Sequence, residues 1–194
     1  MSSWIVIESA PLSQSQMENN ANCLWEYFSP KGWTANAVSA LAGNMQAETT
    51  INPGRWENDV VGVLTAGFGL VGWTPASKLI DWIWDTYGSH DYTDGVLQCD
   101  RIIWELDNGQ QYYPTSNYPE TFREFTQSNK PPGYLAKAFM LNYERPYNQS
   151  PEYQAYRARL AEAWYTFYTG QPAPKNTPAW LLAILAKSAR RYRP

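Results

Sequence analysis

Apolar residues recur at helical spacing through most of the chain. Val38, Leu41, Ala42 and Met45 lie on one stripe of a segment covering about 34–48, the pattern of an amphipathic helix. A helix over 15–28 precedes it and stops around Ser29-Pro30-Lys31-Gly32, while Asn52-Pro53-Gly54 blocks continuation of the second. Thr74-Pro75 reads as an N-cap followed by Pro at the first helical position, with Gly88 as the stop, and Leu79, Ile80, Ile83 and Trp84 share a face between them. Further helices are predicted over 94–106, closed by Asn108-Gly109, near 120–127 and 134–144, and from Ser150-Pro151 to Gly170. The Tyr- and Pro-rich stretch 110–119 reads as a loop.

Residues 60–74 break this rhythm. Val60, Val61, Val63 and Leu64 precede Gly67-Phe68-Gly69-Leu70-Val71-Gly72-Trp73. β-Branched residues with frequent Gly predict short strands or a hairpin lying close to another surface. The fold expected is therefore α+β, mostly helical, with a small β-hairpin lobe. The hairpin admits two readings. It is either a plain core element, or a strand whose glycines let a flat polymer approach the backbone while Phe68 and Trp73 stack on sugar rings. A phosphate loop is disfavoured, because no Lys-Ser/Thr follows and no G-x-G-x-x-G spacing is met.

Past Gly170 the character changes again. Pro172, Pro174 and Pro178 mark 171–178 as a Pro-rich linker. Residues 179–194 set Trp180, Leu181, Leu182, Ile184 and Leu185 before a basic end, an amphipathic pattern. The organisation expected is a domain over 1–170, the linker, and this terminal segment, without internal repeats.

Charge sharpens that division. The 194 residues hold 15 Lys+Arg and 18 Asp+Glu, a net charge of −3. All the acids lie before Gly170, giving a balance of −8 there, and the five bases after it face no acid. An acidic body argues against a nucleic-acid partner. A 44% hydrophobic, 17% charged composition argues against disorder, and the length suits one domain or at most two small ones. One His argues against a His-rich zinc site or a His-based triad. Cys23 and Cys99 are expected to be buried thiols. Trp4-Ile5-Val6-Ile7 is too short for a signal peptide and lacks a basic flank, and no segment reaches the roughly 18 apolar residues of a membrane span. The expectation is a chain that stays inside its cell or leaves by a route needing no signal peptide.

Glu48 is the most informative carboxylate. It follows Val38, Leu41 and Met45 by ten, seven and three residues and so projects from the apolar face of its helix. Desolvation there is expected to raise its pKa, as a general acid requires. The bland reading is a helix-terminal Glu that is solvated or paired with Arg55. Asn142-Tyr143-Glu144-Arg145-Pro146 ends a helix bearing Leu135, Phe139 and Met140, and by itself reads as a cap with an ion pair.

Taken in order, Gly43-Asn44-Met45-Gln46-Ala47-Glu48-Thr49-Thr50-Ile51-Asn52-Pro53, then Gly67-Phe68-Gly69-Leu70-Val71-Gly72-Trp73-Thr74 with Lys78-Leu79, then Tyr143-Glu144-Arg145-Pro146, resemble the phage tail lysozyme family over roughly 15–169. That family belongs to the lysozyme-like superfamily and occurs in tail-tip and tail-knob proteins and some endolysins. The resemblance implies a lysozyme-like fold with the hairpin lobe beside the catalytic helix. It further implies cleavage of the β-1,4 bond between N-acetylmuramic acid and N-acetylglucosamine, with Glu48 as acid. Substrate would be held by Phe68, Gly69, Trp73 and Tyr143. Glu144, Asp59 and Glu57 are the candidates for a second carboxylate; no metal or cofactor is required. Two departures stand out: Thr49 replaces the usual Ser after the acid, and Gly72 stands where Gln commonly precedes the Trp.

The partner expected is the glycan strand of bacterial peptidoglycan, met at the wall from a virion tail or during host lysis. Residues 179–194 would dock on another tail protein, lie on an anionic surface, or fold back on the acidic body. Some tail lysozymes join a peptidase domain, for which this chain is expected to be too short. The rival readings are a non-catalytic glycan-binding or structural tail component, a lytic transglycosylase, and a helical adaptor in which Glu48 only caps a packed helix.

Overall fold

A computed structural model describes residues 2–8 and 10–170; the expectations for 171–178 and 179–194 lie outside the described residues. Among the described residues seven α-helices follow in order: α1 Gln14–Phe28, α2 Ala35–Thr49, α3 Ser77–Tyr87, α4 Gly95–Asp107, α5 Phe122–Thr126, α6 Pro132–Phe139 and α7 Pro151–Thr169. A π turn, Met140–Glu144, continues α6. Their starts are set by side chains that accept from free amides of the first turn. Thr34 caps α2, Asp94 caps α4 and Ser150 caps α7, while Ser13 with Gln16 and Thr121 with Glu124 form capping boxes. Gly88 and Gly170 take the left-handed conformation that ends α3 and α7.

Helix α2 is the centre of the molecule. Every residue from Ala37 to Met45 is buried, and the helix is covered by α7, α6, α1 and α5. Gly43 allows α7 to approach closely. A Cβ there would lie 2.6 Å from the backbone nitrogen of Ala161, so α7 can press against α2 only where no side chain intervenes. The N-terminal residues 2–8 are tied down by buried amides. Asn20 bonds both backbone groups of Ile5, and Asn52 donates to the carbonyls of Ile7 and Ala10. Cys23 and Cys99 are buried free thiols.

The glycine-rich segment corrects the expected α+β class. Among the described residues there is no strand or sheet; only isolated antiparallel bridges occur, Trp56 with Phe68 and Phe68 with Trp73. Phe68 and Trp73 exchange backbone hydrogen bonds of 3.1 and 2.9 Å around a tight turn in which Gly72 N donates to Gly69 O. Gly69 and Gly72 have φ of 79° and 62°, which curl the chain instead of extending it. One bridge is all that the turn leaves room for, and the fold is helical.

Helix α3 also begins later than Thr74-Pro75 suggested. Ala76 N still bonds the carbonyl of Ala66, and Ala76 rather than Thr74 stands at the cap position. On that helix Leu79 and Ile83 are fully buried, whereas Trp84 is half exposed and stacks on His90, the single histidine.

Candidate active site

Glu48 sits one residue before the end of α2, where the chain turns sharply. Thr50 and Ile51 have φ of 57° and 55°, unusual for β-branched residues, and the buried Ile51 side chain anchors the bend. The hydroxyl of Thr49 is shared between Met45 O at 3.1 Å and Leu70 O at 3.0 Å, so the residue after Glu48 fastens the glycine-rich turn to α2. Gln98 of α4 holds the other side, accepting from Leu70 N and donating to Pro53 O.

Arg157 of α7 is the electrostatic centre. Its side chain is fully buried and its two terminal nitrogens pair with Glu48 Oε1 and Glu144 Oε2. It also donates to Asn44 Oδ1 at 2.7 Å and to the Tyr153 hydroxyl at 3.2 Å. Asn44 in turn donates to Ala40 O and Ala136 O, so one buried amide links α2, α6 and α7 behind the charges. Burial pushes Arg157 down to about 9, leaving it a cation at neutral pH. Burial pushes the Glu144 carboxyl well above the usual glutamate range, and its Oε1 is buried with no hydrogen-bond partner. One guanidinium thus serves two carboxyl groups. Full ionisation of both would leave a negative charge that the single guanidinium does not compensate, and burial disfavours that charge at Glu144.

The two carboxyl groups differ in access. Glu48 is 27% exposed and Glu144 4%. Glu48 Oε2 faces Gly72, where a Cβ would stand 3.7 Å away. In front of it opens a cleft of about 430 Å³, whose walls include Glu48, Glu57, Phe68, Gly72 and Glu144, with Tyr147 fully exposed at its edge. Glu57 is exposed, and its Oε2 accepts from Gly67 N at 2.7 Å.

The structure therefore brings Glu48, Glu144, Glu57 and Phe68 to one cleft. Asp59 stands apart, exposed and paired with Arg55 at 2.6 Å, so the cation facing Glu48 is Arg157 and not Arg55. Gly69 backs onto Gln98, and Trp73 and Tyr143 are core residues, 3% and 1% exposed, whose polar atoms both bond Glu105. Their rings fill the interior because the π turn sends Tyr143 inward while its neighbour Glu144 meets Arg157. Sequence reasoning missed Arg157, Glu105 and Tyr147. A signal for Arg157 was present: it shares the helical stripe of Leu160, Ala161 and Trp164, and a charge on an apolar face needs a buried partner. Among the described residues no three His, Cys, Asp or Glu side chains gather as metal ligands, and no helix is long and apolar enough to cross a membrane.

Comparison with known proteins agrees with this arrangement of motifs. The chain is 43% identical over 164 residues, 84% of its length, to morphogenesis protein 1 of Bacillus phage B103, and it spans 43% of that relative. Residues 19–168 match the family described as phage tail lysozyme. With more than half its length matched, the chain belongs to the phage tail lysozyme family.

Proposed function

We propose that this domain is a muramidase that cleaves the β-1,4 bond between N-acetylmuramic acid and N-acetylglucosamine in peptidoglycan, for phage entry or host lysis. The observation that carries the reading is the asymmetric setting of Glu48: one oxygen is held by a buried cation and the other is open to the cleft. Glu48 Oε2 carries the proton to the glycosidic oxygen while positive charge develops on the sugar. As the proton leaves, Arg157 is already in contact with the carboxylate that forms, and a charge stabilised in place lowers the barrier. Glu144 lies behind this pair, too buried to meet the far face of a sugar ring. Glu57, exposed on the cleft wall, is the carboxylate available to a water or to the oxocarbenium-like centre.

Gly72 leaves open the space beside Glu48 Oε2 that a larger side chain would occupy, and Tyr147 offers a free ring at the cleft edge for stacking on a sugar. The name of the phage B103 relative, morphogenesis protein 1, favours a virion-assembly context over a free lysis enzyme. Clearing of purified bacterial walls tests the reading. The Glu48→Gln chain, folded by circular dichroism, is expected to clear them at least about a hundredfold more slowly while still binding them. Clearing at the wild-type rate would overturn the role of Glu48.

A further inference from the structure

A second buried carboxylate bonds the sequence neighbours of two residues that line the cleft, Gly72 and Glu144. Glu105 of α4 is 1% exposed. Its Oε1 accepts from the Trp73 indole nitrogen at 3.1 Å and from Arg101 Nε at 2.9 Å, and its Oε2 accepts from the Tyr143 hydroxyl. Trp73 directly follows Gly72, which faces the open oxygen of Glu48. Tyr143 directly precedes Glu144, which shares Arg157 with Glu48. The two segments that flank the acid come from chain positions about seventy residues apart, and one side chain holds both.

We propose that Glu105 is a positioning residue that fixes the glycine-rich turn and the π turn against each other, and so sets the geometry around Glu48. The role rests on the reading of Glu48 as the acid. Burial disfavours a charge at this position, and an apolar residue of similar size would fill the same volume without needing three donors. What the carboxylate supplies and a leucine does not is direction: two oxygens that accept from opposite segments and hold each at hydrogen-bonding distance. An acid displaced by a fraction of an ångström from its leaving oxygen loses rate without losing substrate affinity, because Glu105 bonds Trp73 and Tyr143 and not Tyr147, the ring proposed to stack on the sugar.

The test compares Glu105→Leu and Glu105→Gln with the wild-type chain in two readouts. In amide hydrogen exchange, Glu105→Leu is expected to speed exchange about tenfold or more in both 67–73 and 140–145 while α2 stays protected. On a soluble peptidoglycan glycan, its kcat is expected to fall about tenfold or more with KM within about twofold, measured where circular dichroism reports a folded chain. Glu105→Gln, which keeps the shape and an acceptor, is expected to recover most of both. Should Glu105→Leu fail to fold, Tyr143→Phe removes only the hydroxyl. It is expected to loosen 140–145 and lower kcat by about three- to tenfold. Exchange confined to α4, or an unchanged kcat in a folded Glu105→Leu or Tyr143→Phe chain, overturns the proposal. A wild-type chain that releases no glycan would defeat the muramidase reading instead, and exchange at the two segments would still decide whether Glu105 tethers them.

Discussion

At the scale of single residues, Arg157 carries the largest electrostatic burden. Removing a buried cation strands two carboxyl groups, so Arg157→Met is expected to lower stability by about 3–5 kcal/mol at neutral pH. The loss should shrink near pH 4, where protonated carboxyls no longer need the cation; denaturant unfolding at both pH values measures it. An equal loss at both would mean packing alone. Glu144 gives a prediction of definite sign. Its pKa is raised on folding, so the native chain binds the extra proton, and stability present below about pH 4.5 is lost as pH rises through the raised value. Glu144→Gln removes that titration, and its Tm should decline less than the wild-type Tm above pH 4.5 in calorimetry; parallel curves would refute it. Glu48 was legible because three apolar residues on its own helix marked its face. Its partner was not, because Arg157 lies 109 positions away and only the packing of α7 on α2 makes them neighbours. The family resemblance implies sugar contacts for Trp73 and Tyr143, but a motif match does not distinguish a ring facing a cleft from one buried with its polar atom on Glu105, as both are here.

At the scale of elements, the helices were readable wherever a cap, a stripe and a stop agreed. Ser150-Pro151 to Gly170 bounds α7 as expected, and Thr34 caps α2. The hairpin failed because β-branched residues state a preference for extended backbone, while Gly69 and Gly72 at positive φ decide that the chain curls within a few residues. Helix α3 starts at Ser77 because loop hydrogen bonds from Ala66 and Leu64 claim the amides of Ala76 and Ser77, a competition invisible to local pattern. The α2–α7 contact yields its own prediction. Gly43→Val puts side-chain atoms where even a Cβ lies 2.6 Å from Ala161 N, so the helices must part. Thermal unfolding should register a loss of at least about 1–3 kcal/mol, with Glu48 moved off Arg157 and wall clearing reduced in the folded fraction. A Gly43→Val chain of unchanged stability and activity would show that α7 does not register the site.

At the scale of the whole molecule, an acidic body over 1–169 is followed by five bases and no acid. Sugar recognition by stacking and hydrogen bonds is compatible with an acidic domain, and we propose the basic segment as the part that meets an anionic wall. Deleting 171–194 is expected to weaken wall binding at low salt and to flatten its dependence on ionic strength, with cleavage of a soluble glycan retained; sedimentation of wall-bound protein across a salt series measures both. Unchanged binding would assign that segment to another partner. The most decisive experiment concerns the chemistry at Glu48: mass analysis of the fragments that the wild-type chain and Glu48→Gln release from purified peptidoglycan. The wild type is expected to yield muropeptides ending in reducing N-acetylmuramic acid, and Glu48→Gln none at equal wall occupancy. Anhydro ends, no release by the wild type, or equal release by both chains would contradict hydrolysis by Glu48.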